Sequence, residues 1–146
     1  MNYQLKKAKA SDKNNIYQFK KNNLYFYIKR IWGWDEEFQV KLFNEEFQLM
    51  ENFNTVWIDK KFAGYIEVVA YEGYLSIAEI QLKKEYQGGG IGTKLIKQVI
   101  KKATNLGKNV HLGCFKENLG ALNLYKRLGF EVIETTESHY VLLKQC

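Results

Sequence analysis

The residues best equipped for chemistry lie close together between Glu79 and Thr93. Four glycines, Gly88, Gly89, Gly90 and Gly92, fall within five positions, after the strand pattern Leu75–Leu82. Directly behind them a helical stripe begins: Ile91, Leu95, Ile96, Val99, Ile100, Ala103 and Leu106 recur at spacings that share one face. Glycines let backbone N–H groups converge on a concave nest with no Cβ in the way. A helix that starts there adds unpaired N–H donors and a positive dipole end. The chemistry these features suit is anion binding, phosphate above all, with a flexible turn as the plain alternative. The loop is not a Walker A motif, for no Gly-Lys-Ser/Thr follows, and its glycines do not fit Gly-x-Gly-x-x-Gly.

Other residues invite a role. Glu79 is an acid in a mainly apolar strand, where burial would raise its pKa toward that of a useful base; a salt bridge to a lysine or a solvent-facing carboxylate is the alternative. The segment Tyr25 to Glu37 is dense in aromatics and ends in acid. Trp32, Trp34, Asp35 and Glu36 would suit a cationic amine, or else form a helix–helix corner with Asp35 as a cap. His111 and His139 have no partners at ligand spacing, so no metal is expected. Cys114 lacks a His/Asp pairing that would make it a nucleophile.

Two motifs carry a resemblance. Gln87-x-x-Gly90-x-Gly92 opens a helix after a strand and is similar to the acyl-CoA loop of the GNAT (Gcn5-related) N-acetyltransferase superfamily. Some thirty residues on, beyond the strand pattern Asn109–Cys114, Asn118, Ala121, Tyr125 and Gly129-Phe130 resemble that family's second signature, Asn-x-x-Ala-x-x-x-Tyr-x-x-x-Gly-Phe. The likeness covers roughly Gly64 to Lys144 well and the N-terminal half only in layout. It implies an acetyl-CoA-dependent N-acetyltransferase working by direct amine attack in a ternary complex, on a small-molecule or a protein amine. Pantetheine would run along Ile80, Gln81 and Leu82, in a splay between two parallel strands. The diphosphate would sit on the amides of Gln87, Gly88, Gly89, Gly90, Ile91, Gly92 and Thr93, with Asn118 on the cofactor arm or capping a helix. Tyr125 would protonate the departing thiolate. Glu79 would deprotonate the acceptor, since an amine of pKa about 10.4 is charged at neutral pH. The catalytic glutamate that some members carry on the next strand is absent, its aligned position being Gly113. A non-catalytic acyl-CoA-binding module is the alternative.

The elements that must position these groups follow in chain order. Tyr3–Ala8 reads as a strand; a helix capped at Ser11-Asp12 runs to about Ile31, and a second from Asp35 to about Asn52. Asn54–Ile58 and Phe62–Ala70 are strands joined at Asp59-Lys60-Lys61, and Phe130–Thr135 and His139–Lys144 form a last hairpin. The expectation is a single α/β domain over residues 1–146. The GNAT fold implies a central mixed, mostly antiparallel sheet of about seven strands with about four helices on both faces. The length suits one domain. A net charge of +6 raises nucleic-acid binding as a weak alternative. The basic residues are nearly all scattered lysines, however, with Arg30 and Arg127 the only arginines, so no nucleic acid is expected. Two cysteines, no signal peptide and no long apolar run suggest a reduced, cytoplasmic protein without a membrane span. Family members are often dimers, which leaves a homodimer open.

Overall fold

The computed structural model describes residues 2–146. In chain order its elements are β1 (Gln4–Lys7), α1 (Lys13–Trp32), α2 (Glu36–Phe47), β2 (Phe53–Ile58), β3 (Lys61–Ala70), β4 (Tyr74–Leu82), α3 (Ile91–Leu106), β5 (Asn109–Phe115), α4 (Leu119–Arg127), β6 (Glu131–Thr135) and β7 (His139–Lys144). The seven strands form one sheet in the order β1-β2-β3-β4-β5-β7-β6. It is mixed: β4 and β5 are parallel, while β1–β2, β2–β3, β5–β7 and β6–β7 are antiparallel. The residues divide into two compact units, one up to Glu67 with Glu79–Gln87, the other Val68–Ala78 with Gly88–Cys146.

In the first unit an aromatic core forms around Ile16, Phe43, Phe47, Phe53 and Tyr65. The ring centroids of Phe43 and Phe47 lie 5.5 Å apart, and those of Phe47 and Phe53 lie 5.1 Å apart. That packing ends α2 sooner than its apolar pattern suggests. The helix stops at Phe47, and a short 3-10 turn at Met50–Asn52 swings the chain round so that Phe53 can enter the core. Gly33, at φ 81°, closes α1, and the Asp35 side chain caps α2 by accepting from the Phe38 N–H at 3.1 Å. The β2–β3 hairpin turns on Asp59 and Lys60, both at positive φ, as a two-residue turn requires to match strand twist. At Gly64, β3 presses on the end of β4: a Cβ there would lie 2.0 Å from the Gln81 carbonyl oxygen. Only glycine permits that approach.

In the second unit α3 buries Ile91, Leu95, Ile96, Val99 and Ala103, the face its periodicity marks, and ends at a left-handed Gly107. The parallel ladder of β4 and β5 pairs Tyr74–Ile77 with Asn109–Leu112, and each strand then runs beyond the last pair. Beyond α4, Gly129 at φ 95° turns the chain so that Phe130 is buried. β5 continues along β7 from Val110↔Lys144 to Phe115↔His139.

Candidate functional site

In the second unit the glycine loop has a clear geometry. Gly90 is the N-cap of α3 in a left-handed conformation at φ 87°, and no side chain caps this helix. The contrast with α4 is direct, for there Asn118 Oδ1 accepts from the Ala121 N–H at 3.1 Å. The N–H groups of Ile91, Gly92 and Thr93 precede the first helical bond, from Lys94 N–H to the Gly90 carbonyl at 3.0 Å. A Cβ built at Gly88, Gly89 or Gly90 would meet nothing within 4 Å. The glycines at 88 and 90 therefore answer to positive φ and leave open space in front of the loop, the arrangement an anion needs.

Tyr125 lies on α4 at 7% exposure, its ring 6.1 Å from that of Phe130. Its carbonyl accepts from the Phe130 N–H at 3.0 Å, so the Tyr125-to-Phe130 turn is held from within. Cys114 is buried, and burial pushes its thiol pKa up, which keeps it from acting as a thiolate.

In the first unit, Gln87 Nε2 donates to the Leu82 carbonyl at 2.9 Å, at the end of β4. The Gln87 N–H is itself bonded to the Lys84 carbonyl at 3.1 Å. Gln81 receives a bond from Asn23 Nδ2 at 2.8 Å and donates one to Glu79 Oε2 at 3.1 Å. Ile80, between them, is half-buried. Glu79 also lies 3.6 Å from the Lys20 ammonium. Burial raises the Glu79 pKa, with Lys20 and the Gln81 bond pulling the other way.

Around Glu79 stands a cluster that the sequence reading missed. Lys20 Nζ reaches Glu46 Oε1 at 3.2 Å, and Glu67 on β3 is 5% exposed with its Oε1 buried and unbonded. Burial raises the Glu67 pKa from 4.5 to about 7, the Glu46 charge adding to it and Lys20 opposing. Burial also works against the charged Lys20, but Glu79 and Glu46 outweigh it and hold its pKa above the ordinary value. The signal was available: Glu67 is a lone acid in the apolar run Phe62–Ala70, as Glu79 is in its own strand.

The aromatic segment is placed at the turn from α1 to α2. Trp34 packs on Tyr25 at 5.1 Å and, with Lys20, Lys21 and Phe43, lines a small pocket. Glu36 accepts from Tyr17 Oη at 2.6 Å and pairs with Lys21 at 2.8 Å, bonds that lower its pKa. Trp32 is exposed and Asp35 is the helix cap. Among the described residues, no His, Cys, Asp and Glu side chains are grouped so as to hold a metal ion, and no helix is long and apolar enough to cross a membrane.

The chain is similar to known N-acetyltransferases in sequence and in fold. An uncharacterized N-acetyltransferase of Methanocaldococcus jannaschii is 32% identical over 124 residues, 83% of this chain and 55% of that protein. The spermine/spermidine N(1)-acetyltransferase of Bacillus subtilis is 36% identical over 52 residues, 34% of this chain and 34% of that protein. The chain thus spans about half the length of the first relative (55%) and a third of the second (34%). In fold it resembles the PaiA N-acetyltransferase from Thermoplasma acidophilum, solved with coenzyme A, at a TM-score of 0.79 and 19% identity over 100% of both chains. The Acetyltransferase (GNAT) family model matches residues 15–130, and with the seven-stranded mixed sheet and glycine-started helix described above, the chain belongs to that family.

Proposed function

We propose that residues 1–146 act as one acetyl-CoA-dependent N-acetyltransferase domain, transferring an acetyl group to a primary amine by direct attack in a ternary complex. One observation carries this reading: α3 begins at a left-handed glycine, its first amides capped by no side chain, in a loop open in front of its glycines. A diphosphate is the anion such a start suits. The solved Thermoplasma acidophilum relative is a complex with coenzyme A.

In this reading the amides of Gly88 to Thr93 hold the diphosphate. The Gln87 amide is already engaged, so Gln87 shapes the loop through its bond to Leu82. The backbone of Ile80, Gln81 and Leu82 receives the pantetheine arm, and Asn118 serves it while capping α4. Bound acetyl-CoA supplies a thioester carbonyl open to attack. Glu79 takes the proton from the acceptor ammonium, a task its raised pKa favours. Tyr125 gives its hydroxyl proton to the sulfur as the C–S bond breaks and the N–C bond forms, and the nitrogen's second proton, released as the amide forms, returns to the tyrosinate. Trp32, Trp34, Asp35 and Glu36 border the acceptor side, Asp35 by fixing the start of α2.

Calorimetry with coenzyme A tests the site, and free thiol released from acetyl-CoA over an amine panel tests the reaction. The panel holds peptide amines, lysine analogues and, given the Bacillus subtilis relative, polyamines. Binding with turnover on some amine is the expected result. Binding without turnover on any would make the chain an acyl-CoA-binding module, and no affinity for coenzyme A would end the reading.

A further inference from the structure

The cluster around Lys20 is out of balance. Glu46, Glu67 and Glu79 bring three carboxyl groups to one ammonium, Lys20, at 3.2 Å from Glu46 and 3.6 Å from Glu79. Two polar atoms in the same place have no partner. Glu67 Oε1 is one, and the other is the hydroxyl of Tyr65, a residue of 0% exposure. Tyr65 and Glu67 stand two apart on β3 and so share one face. Burial, and after it the charges of Glu79, Glu67 and Glu46, push the pKa of the Tyr65 hydroxyl well up. A buried polar atom left unbonded is expensive. The side chains of Lys20, Glu46 and Glu79 keep 15%, 28% and 20% exposure, so this part of the cluster is reached by solvent.

We propose that Glu46, Glu67 and the Tyr65 hydroxyl form a subsite for a second ammonium of the acceptor, with Glu79 left to the reacting one, which makes the acceptor a diamine or polyamine. The subsite rests on the transferase reading above for the word acceptor, but not for its own existence. An alkylammonium needs only hydrogen-bond acceptors spread around it, which these acids and the Tyr65 hydroxyl supply. Lys20 shows the fit, an ammonium on a flexible alkyl stem lying among these acids and 5.8 Å from the Phe43 ring centroid. An incoming ammonium shares or takes that seat and gives Glu67 Oε1 and the Tyr65 hydroxyl the partner they lack.

Calorimetry on the full chain, without acetyl-CoA, decides the matter. The probes are 1,4-diaminobutane, spermidine and the matched monoamine 1-butylamine, at fixed ionic strength. The diamine and spermidine are expected to bind at least tenfold more tightly than the monoamine. Glu46→Gln and Glu67→Gln should each erase most of that preference, and Tyr65→Phe should weaken it several-fold. Lys20→Met is the discriminating variant: it vacates the seat, so diamine binding should tighten, whereas a purely structural lysine would give weaker or unchanged binding. Equal affinity for diamine and monoamine in the wild type, or unchanged or looser diamine binding in Lys20→Met with its fold intact by circular dichroism, overturns the subsite. Thiol release with monoamines, alongside coenzyme A binding, reports on the transferase reading separately. That reaction can succeed while the diamine preference fails, and the preference can hold while the reaction fails.

Discussion

Replacing Glu67 by glutamine should make the stability of this protein less sensitive to rising pH. Glu67 is 5% exposed and one of its oxygens is unbonded. Burial first, then Glu46 and Glu79 against the pull of Lys20, place its pKa at about 7 where 4.5 is ordinary. The folded chain therefore holds this proton more tightly than the unfolded one. The contribution of Glu67 to stability is full below the unfolded value and is lost as pH rises through the folded one. At about 1.4 kcal/mol per tenfold change in proton affinity, that gap amounts to about 3 kcal/mol. Glutamine keeps the shape and has no charge to expose. The stability of Glu67→Gln minus that of the wild type should rise by about 3 kcal/mol between about pH 4.5 and pH 8, then level off. Urea unfolding of both proteins across that range measures it, and the subtraction cancels groups that titrate alike in both. A difference that stays flat, or falls, would refute the claim that Glu67 is a carboxyl held protonated by its surroundings.

Four further outcomes follow from single positions. Gly64→Ala places a methyl against the Gln81 carbonyl, at 2.0 Å before relaxation, and should cost at least about 3 kcal/mol in chemical unfolding. Gly90→Ala forces alanine into a left-handed cap at φ 87°; it should cost about 1–2 kcal/mol and weaken coenzyme A binding in calorimetry. Tyr125→Phe should lower kcat by about a hundredfold at unchanged coenzyme A affinity, if its hydroxyl donates the leaving-group proton. Cys114→Ala should leave kcat/KM within about twofold, because the buried thiol is held protonated.

The parts of the fold that were legible in the chain are those governed by local rules. The α3 stripe, its glycine start, the Asp35 cap and the Asp59-Lys60 turn are each written in neighbouring residues. The end of α2 was not, because its own apolar pattern continues; the demand that Phe53 meet Phe47 decides it, and that demand is tertiary. The acidic cluster escaped for the same reason. Lys20 and Glu46 are 26 residues apart, and Asn23 and Gln81 are 58 apart, so no window along the chain contains them. Glu79 was singled out as an acid in a mainly apolar strand that also lies close to the motif. Glu67, with the same lone-acid signature, has no motif beside it, and only the shared surroundings reveal that the two belong together.

At the margin of the sheet, β6 has every residue exposed, including Ile133 at 51%. A bare strand edge is a template on which another copy could zip, the first step of clumping at high concentration. Two features discourage it here: Glu131 and Glu134 place like charge along the strand, and the irregular register between Val132 and Glu134 breaks its regular spacing. The first of these works through the solvent and fades as salt shortens the reach of charge. Concentrated stocks of this protein should therefore keep best in dilute buffer, and the earliest loss on adding salt should begin at this strand.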